Sequence, residues 1–156
     1  MRARPLHILY VAPFGLRHKT TVWARALPLA RQLVARGLQC TILVPPWDSP
    51  EDGGLVQNVD GVAIVQVNVQ GGLPAIVARL IQEIALRKPD IVHCVKPRAY
   101  AVIVQWLLWQ QRRMGKPTPR IFLDLDDWEQ AWQTINHYPL PVAKFLAWQE
   151  EWGIRH

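Results

Sequence analysis

Apolar runs of two kinds alternate along this chain. Short, β-prone runs closed by proline, glycine or acidic residues occur at His7-Ile-Leu-Tyr-Val-Ala12, Cys40-Thr-Ile-Leu-Val44, Val62 to Val69, Ile91-Val-His-Cys-Val95 and Arg120-Ile-Phe-Leu-Asp124. Their brevity and unbroken hydrophobicity predict strands buried on both faces. Between them, apolar residues recur at helical spacing. Val22, Ala26, Leu29 and Leu33 mark a first helix, with Thr20 or Thr21 as its cap, Pro28 as an expected kink and Gly37 as its stop. Ile76, Val77, Leu80, Ile81 and Ile84 mark a second, with Pro74 in its first turn. Ala99 to Met114 is a third, apolar nearly all round until Gln110, which predicts burial against the sheet or a partner.

Strands separated by helical crossovers imply a parallel sheet with helices on both faces, because right-handed crossovers leave few other topologies. The expected fold class is α/β, a Rossmann-like doubly wound parallel sheet of five or more strands. The stretch from Pro45 to Asp60 reads as a polar loop that ends in the turn signal Asp60-Gly61. After Asp127 the pattern changes to Trp-rich helical segments, Trp128 to Ile135 and Pro141 to Trp152, and Gly153-Ile-Arg-His156 reads as the approach to a further strand. Residues 1–127 are thus a Rossmann-like N-terminal domain and residues 128–156 a C-terminal helical segment of the same domain.

With 156 residues, half of them apolar, the chain is long enough for one domain with a proper core. Lys and Arg outnumber Asp and Glu by 18 to 12, and Arg2, Arg4, Arg17, Lys19, Arg25, Arg31 and Arg36 all precede the first acid, Asp48. The amino-terminal third is therefore expected to be cationic, a field that attracts nucleic acid, anionic lipid and phosphorylated small molecules alike. No nucleic-acid recognition motif or interleaved aromatic platform accompanies it, so nucleic acid is not an expected partner. Eight tryptophans suit interfaces, membrane surfaces included. Leu6 to Val11 is too short for a signal-peptide core, and Ala99 to Trp109 is about half the length that spans a bilayer. The expectation is a cytoplasmic protein, soluble or held peripherally on an anionic membrane through Phe145, Trp148 and Trp152 of the last helix. Cys40 and Cys94 lie inside apolar runs and read as buried free thiols.

In an open parallel sheet, ligands sit beyond the carboxyl ends of the strands. The first such loop, Gly15-Leu-Arg-His-Lys-Thr-Thr21, follows a strand and opens a helix, as a phosphate-binding P-loop does, but Pro13 and His18 stand where that motif needs glycine. The dinucleotide fingerprint G-x-G-x-x-G is also missing, which counts against nicotinamide or flavin chemistry. What remains is a loop with Gly15, Arg17, His18 and Lys19 at a helix start, either suited to an anionic ligand or simply solvated. Asp124, Asp126 and Asp127 crowd the end of the fifth strand; clustered carboxylates raise one another's pKa, which suits one of them to general-base work. The competing reading is a helix-capping box, Asp127 with Gln130 or Asp126 with Glu129. No His or Cys stands at ligand spacing beside them, so no metal is expected. His93 and Lys96 straddle the end of the fourth strand at the same crevice, His93 as a core residue or a site group.

Several of these segments together resemble the N-terminal domain of family-4, GT-B-fold glycosyltransferases. The resemblance is carried by His7-Ile-Leu-Tyr-Val-Ala-Pro-Phe-Gly15, by Arg25-Ala-Leu-Pro-Leu-Ala-Arg-Gln-Leu-Val-Ala-Arg-Gly37 leading into Cys40-Thr-Ile-Leu-Val-Pro45, by Lys88-Pro-Asp-Ile-Val-His93 with Lys96-Pro97, and by Asp124-Leu-Asp-Asp-Trp-Glu129. It implies transfer of a sugar from a nucleoside diphosphate sugar to an acceptor in a cleft between two Rossmann-like domains, with no cofactor beyond the donor and no required metal. By the same resemblance the N-terminal domain holds the acceptor, Gly15 and its loop approach the donor phosphates and acceptor, and the fifth-strand turn carries the polar group nearest the reacting sugar. The catalytic candidates are Asp126 and Asp127; the substrate-binding candidates are Gly15, Arg17, Lys19, His93, Lys96 and Glu129. Many relatives have histidine where Asp126 stands, so Asp126 and Asp127 remain rival bases. The groups that hold the donor in the family lie in a C-terminal domain without counterpart here, so this chain alone is expected to transfer little or no sugar. The alternative is a stand-alone ligand- or protein-binding module without catalysis.

Overall fold

In the computed structural model, which describes residues 4–125 and 128–156, each of the five apolar runs forms a strand. These are β1 (His7–Val11), β2 (Gln39–Val44), β4 (Val62–Gln66), β5 (Ile91–Val95) and β6 (Arg120–Asp124), joined by a sixth, β3 (Val56–Val59). Among the described residues they make one sheet in the order β3-β4-β2-β1-β5-β6, parallel throughout except for the β3–β4 pair. The helices are α1 (Leu27–Val34), α2 (Gly72–Arg87), α3 (Ala99–Arg113), the short α4 (Gln133–Asn136) and α5 (Leu140–Arg155).

Burial on both faces explains the unbroken apolar runs. Ile8, Tyr10, Ile42, Val44 and Ile64 face one side and pack on Ala26, Leu27 and Ala30, at and just before α1. Leu9, Val11, Leu43, Val92 and Cys94 face the other, beneath Ile76, Leu80 and Ile84 of α2 and Val104 and Leu108 of α3. Each fully buried side chain of this kind contributes about 1.5–3 kcal/mol over exposure. α3 is shielded from water by the sheet, by α2 and by α5, which runs alongside it. Cys40 and Cys94 are free and buried, and burial pushes their thiols up to about 11 and about 12, out of the reactive range.

Three local expectations are corrected and a fourth takes a specific form. The interruption expected at Pro28 is a π-helical turn, Val22–Ala26, immediately before it, with the Leu27 N–H donating to Val22 O. The wider turn relieves the clash of the proline ring with the carbonyl four residues back. Thr21 is already in helical conformation and makes no side-chain cap, whereas Gly37 (φ +85°) does stop α1, with Leu38 N–H donating to Leu33 O and Gly37 N–H to Val34 O. Part of the expected polar loop is β3, paired with β4 through the two-residue turn Asp60-Gly61, both at positive φ. Gly153 does not end the last helix; α5 continues to Arg155, and the buried Gly153 packs against Val102, Gln105 and Leu123.

Candidate functional site

The strand order reverses at β1, whose neighbours are β2 and β5, and this is the crevice at which an open α/β sheet offers its ligand site. The Gly15 loop leaves the end of β1, Lys96-Pro97-Arg98 the end of β5, and Leu125 the end of β6. The ends of β5 and β6 are tied together, since the Lys96 N–H donates to the Asp124 carbonyl at 3.2 Å. Lys96 (φ +69°) and Ala99 (φ +51°) bracket Pro97-Arg98 in the left-handed region, a conformation that costs a non-glycine residue about 1–2 kcal/mol. Such strain gathers where a fold must aim particular groups.

The first loop is anchored by an acid. Asp48 Oδ2 accepts from the backbone N–H groups of Arg17 (3.1 Å) and His18 (2.8 Å), and a Cβ on Gly15 would come within 1.6 Å of Asp48 Oδ1. Glycine is needed here for space: the Asp48 carboxylate lies against its Cα. Arg17 pairs with Glu51 (2.9 Å) and Asp52 (3.1 Å), while Lys19 is exposed and its ammonium lies 6.0 Å from the Phe14 ring centre. Ser49 and Arg17 hold the Asp52 carboxyl below its usual range. The amides that could face an anionic ligand are thus filled by a carboxylate from within the chain.

A second group sits beside β5 and β6, on the α1 side of the sheet. His93 pairs laterally with Tyr10, and their rings stack at 4.8 Å. Arg25 reaches from the π-helical turn to Asp124, Nη2 to Oδ1 2.7 Å. Tyr10 Oη and His93 Nε2 are buried and have no hydrogen-bond partner among the described residues. Burial holds the His93 imidazole below its ordinary 6.5, opposed by the Asp124 charge and aided by that of Arg25; burial also raises the Tyr10 phenol. Both groups are therefore neutral near pH 7.

His7, whose Nε2 lies 3.0 Å from Thr41 Oγ1, is likewise held down chiefly by burial. An unfolded histidine takes up a proton near pH 6.5 while these two folded ones do not, so their contribution to stability is complete above that value and is lost as pH falls towards their folded pKa values. Urea midpoints should be flat from about pH 8 to 7 and decline below about 6.5, and His93→Gln should shallow the decline. An acid limb identical in the variant would remove His93 from this account.

The rim therefore brings Gly15, His93, Lys96 and the end of β6 to one edge, while Arg17 is drawn aside to the loop after β2. Asp126 and Asp127 lie outside the described residues, and Glu129 is placed only by its backbone, as the first residue of the 3-10 turn Glu129–Trp132. Asp48, Arg25 and Tyr10 were not singled out by sequence. Nor is the amino-terminal third a bare cationic face, because Arg4, Arg17, Arg25 and Arg31 are paired in space with Asp90, Glu51 and Asp52, Asp124 and Asp60. A groove of about 600 Å³ between Ile84, Leu108 and Pro119 lies at the opposite, amino-terminal end of the strands and is not this site. Among the described residues no three His, Cys, Asp or Glu side chains are grouped to hold a metal, and no helix is long and apolar enough to cross a membrane.

The sequence model of the glycosyl transferase 4-like domain matches residues 20–156. Among curated proteins and among solved structures nothing matches the chain. The match takes in α1 to α5 and each strand after β1, including every loop of the rim except the Gly15 loop, of which only Thr20 and Thr21 fall inside it. This α/β domain, one half of a GT-B architecture in form, belongs to the glycosyl transferase 4-like family, and its function is of the glycosyltransferase type.

Proposed function

We propose that this domain is the acceptor side of an enzyme that transfers a sugar from a nucleoside diphosphate sugar to an acceptor hydroxyl. The observation that supports the reading best is the convergence of the Gly15 loop, Lys96 and the end of β6 at the point where the strand order reverses. In this scheme Asp126 or Asp127 accepts the proton of the acceptor hydroxyl as its oxygen bonds to the anomeric carbon. The bond from that carbon to the phosphate oxygen breaks, and the nucleoside diphosphate departs with the electron pair. Lys96 and Lys19 offset the charge that develops on the leaving group. Gly15 lets the chain come close to the substrates, His93 lines the acceptor side as a neutral group, and Glu129 contributes a polar contact. A second, donor-side domain holds most of the nucleotide, so neither a metal nor a further cofactor is required of this chain.

The rival reading, a binding module without chemistry, draws on Arg17 and the loop amides being taken up by Asp48, Glu51 and Asp52. One experiment separates the two: sugar transfer by the longest reading frame that contains this domain, as wild type and with Asp126→Ala, Asp127→Ala or Lys96→Ala. Transfer is expected to collapse for one aspartate and to weaken for Lys96, with folding retained. Unchanged turnover in all three variants would leave the binding module standing. The 156-residue chain by itself is expected to give no robust transfer.

A further inference from the structure

α5 runs parallel to α3 but starts well before it. Gln149 lies level with Ala99, the first residue of α3, donating to its carbonyl (2.9 Å) and accepting from its N–H (3.0 Å), and the Gly153 carbonyl accepts from Gln105 (3.0 Å). The nine residues Leu140 to Trp148 therefore extend about 13 Å beyond the start of α3, at 1.5 Å per residue. In this projecting half Leu140, Val142, Phe145 and Trp148 are 67, 42, 43 and 40% exposed, far more than residues that serve a core. Pro141, Phe145, Trp148 and Trp152 follow one another at helical spacing and form a single stripe; Lys144 and Arg155 lie on one flank together with Glu151, and no acid precedes Glu150.

The rings of that stripe are stacked on one another along the helix. Phe145 and Trp148 are 5.8 Å apart at 21°, Trp148 and Trp152 6.2 Å at 29°, and Trp152 and His156 4.8 Å at 7°. Trp109 of α3 meets Trp152 edge-on and carries Arg113 over its own ring at 4.9 Å. A sugar or a nucleobase needs an open ring face on which to lie, and here Trp148 and Trp152 each already have two ring neighbours along the helix. Half-exposed rings beside Lys144 and Arg155 suit the headgroup layer of a bilayer, where an apolar body meets a wet, negatively charged boundary. The chain's net charge of +6 has the complementary sign.

We propose that the Pro141-Phe145-Trp148-Trp152 stripe, flanked by Lys144 and Arg155, docks this domain peripherally on an anionic phospholipid bilayer. The inference stands apart from the transferase reading, since it needs no substrate. It is tested by co-sedimentation of the full chain with vesicles of about equal phosphatidylglycerol and phosphatidylcholine, and with phosphatidylcholine alone, at low and physiological salt. The chain should partition onto the mixed vesicles, bind pure phosphatidylcholine much less, and lose binding as salt rises. Phe145→Ser with Trp148→Ser should lower partitioning by tenfold or more with an unchanged circular dichroism spectrum, and Lys144→Glu should weaken binding to the mixed vesicles alone. Tryptophan emission of the unaltered chain should be quenched by lipids brominated near the headgroup. A chain that stays in the supernatant, a serine double variant that binds like the parent, or a concentration-dependent dimer abolished by the same substitutions would each overturn the proposal, the last in favour of a second copy as the occupant.

Discussion

Gly15→Ala is expected to destabilise the domain by about 2–4 kcal/mol, an unusual cost for adding one methyl group in a loop. The backbone at Gly15 is not in the left-handed region, so conformational freedom is not what the glycine supplies. The new Cβ would fall 1.6 Å from Asp48 Oδ1, inside any allowed contact, and the carboxylate must withdraw. Its two bonds to the Arg17 and His18 amides then break, and the link between the loops after β1 and β2 is reduced to the Arg17 ion pairs with Glu51 and Asp52. These pairs are exposed and contribute little. The clash is specific to one partner, so a double-mutant cycle identifies it: Asp48→Ala alone should cost about 1 kcal/mol, and Gly15→Ala should cost far less in the Asp48→Ala background than in the parent. Additive losses in urea denaturation would show that the loop needs glycine for another reason.

That pair also shows where sequence reading runs out. The five parallel strands were legible because a strand buried on both faces must be written as an unbroken apolar run, and Leu9, Leu43 and Val92 follow that rule. β3 was not, because Val56, Gln57 and Asn58 are exposed at a sheet edge and pairing there asks little of composition. The rim itself followed from topology: parallel strands deliver all their carboxyl ends to one edge, so Gly15, Lys96 and Asp124 had to meet there. Pairings across the rim could not be read in the same way. Arg25 and Asp124 are 99 residues apart, and nothing in either segment marks the other. The cationic look of the amino-terminal third arose because its arginines precede their acids in the chain, whereas folding places Asp52, Asp60, Asp90 and Asp124 beside them.

Gln149→Leu is expected to cost about 2–3 kcal/mol and to free the projecting half of α5 from the rim. Gln149 is fully buried, and its amide satisfies both the N–H and the carbonyl of Ala99, a non-glycine residue held at φ +51°. Leucine keeps the volume but leaves both backbone groups without their Gln149 partner in a partly buried site, and one clamp on Ala99 in the left-handed region is lost. Gln149→Glu, which can still accept from the Ala99 N–H but has no donor for its carbonyl, should lie between the two. Hydrogen exchange should rise most in α5 and in residues 96–99, and much less in β1 and β2, whose packing does not involve this contact. Ala99→Gly in the Gln149→Leu background should recover about 1 kcal/mol, because glycine adopts the same backbone without the steric cost borne by alanine. If Gln149→Leu instead leaves exchange in α5 unchanged, the helix is held by Gly153 against Val102, Gln105 and Leu123, and the clamp on Ala99 is incidental.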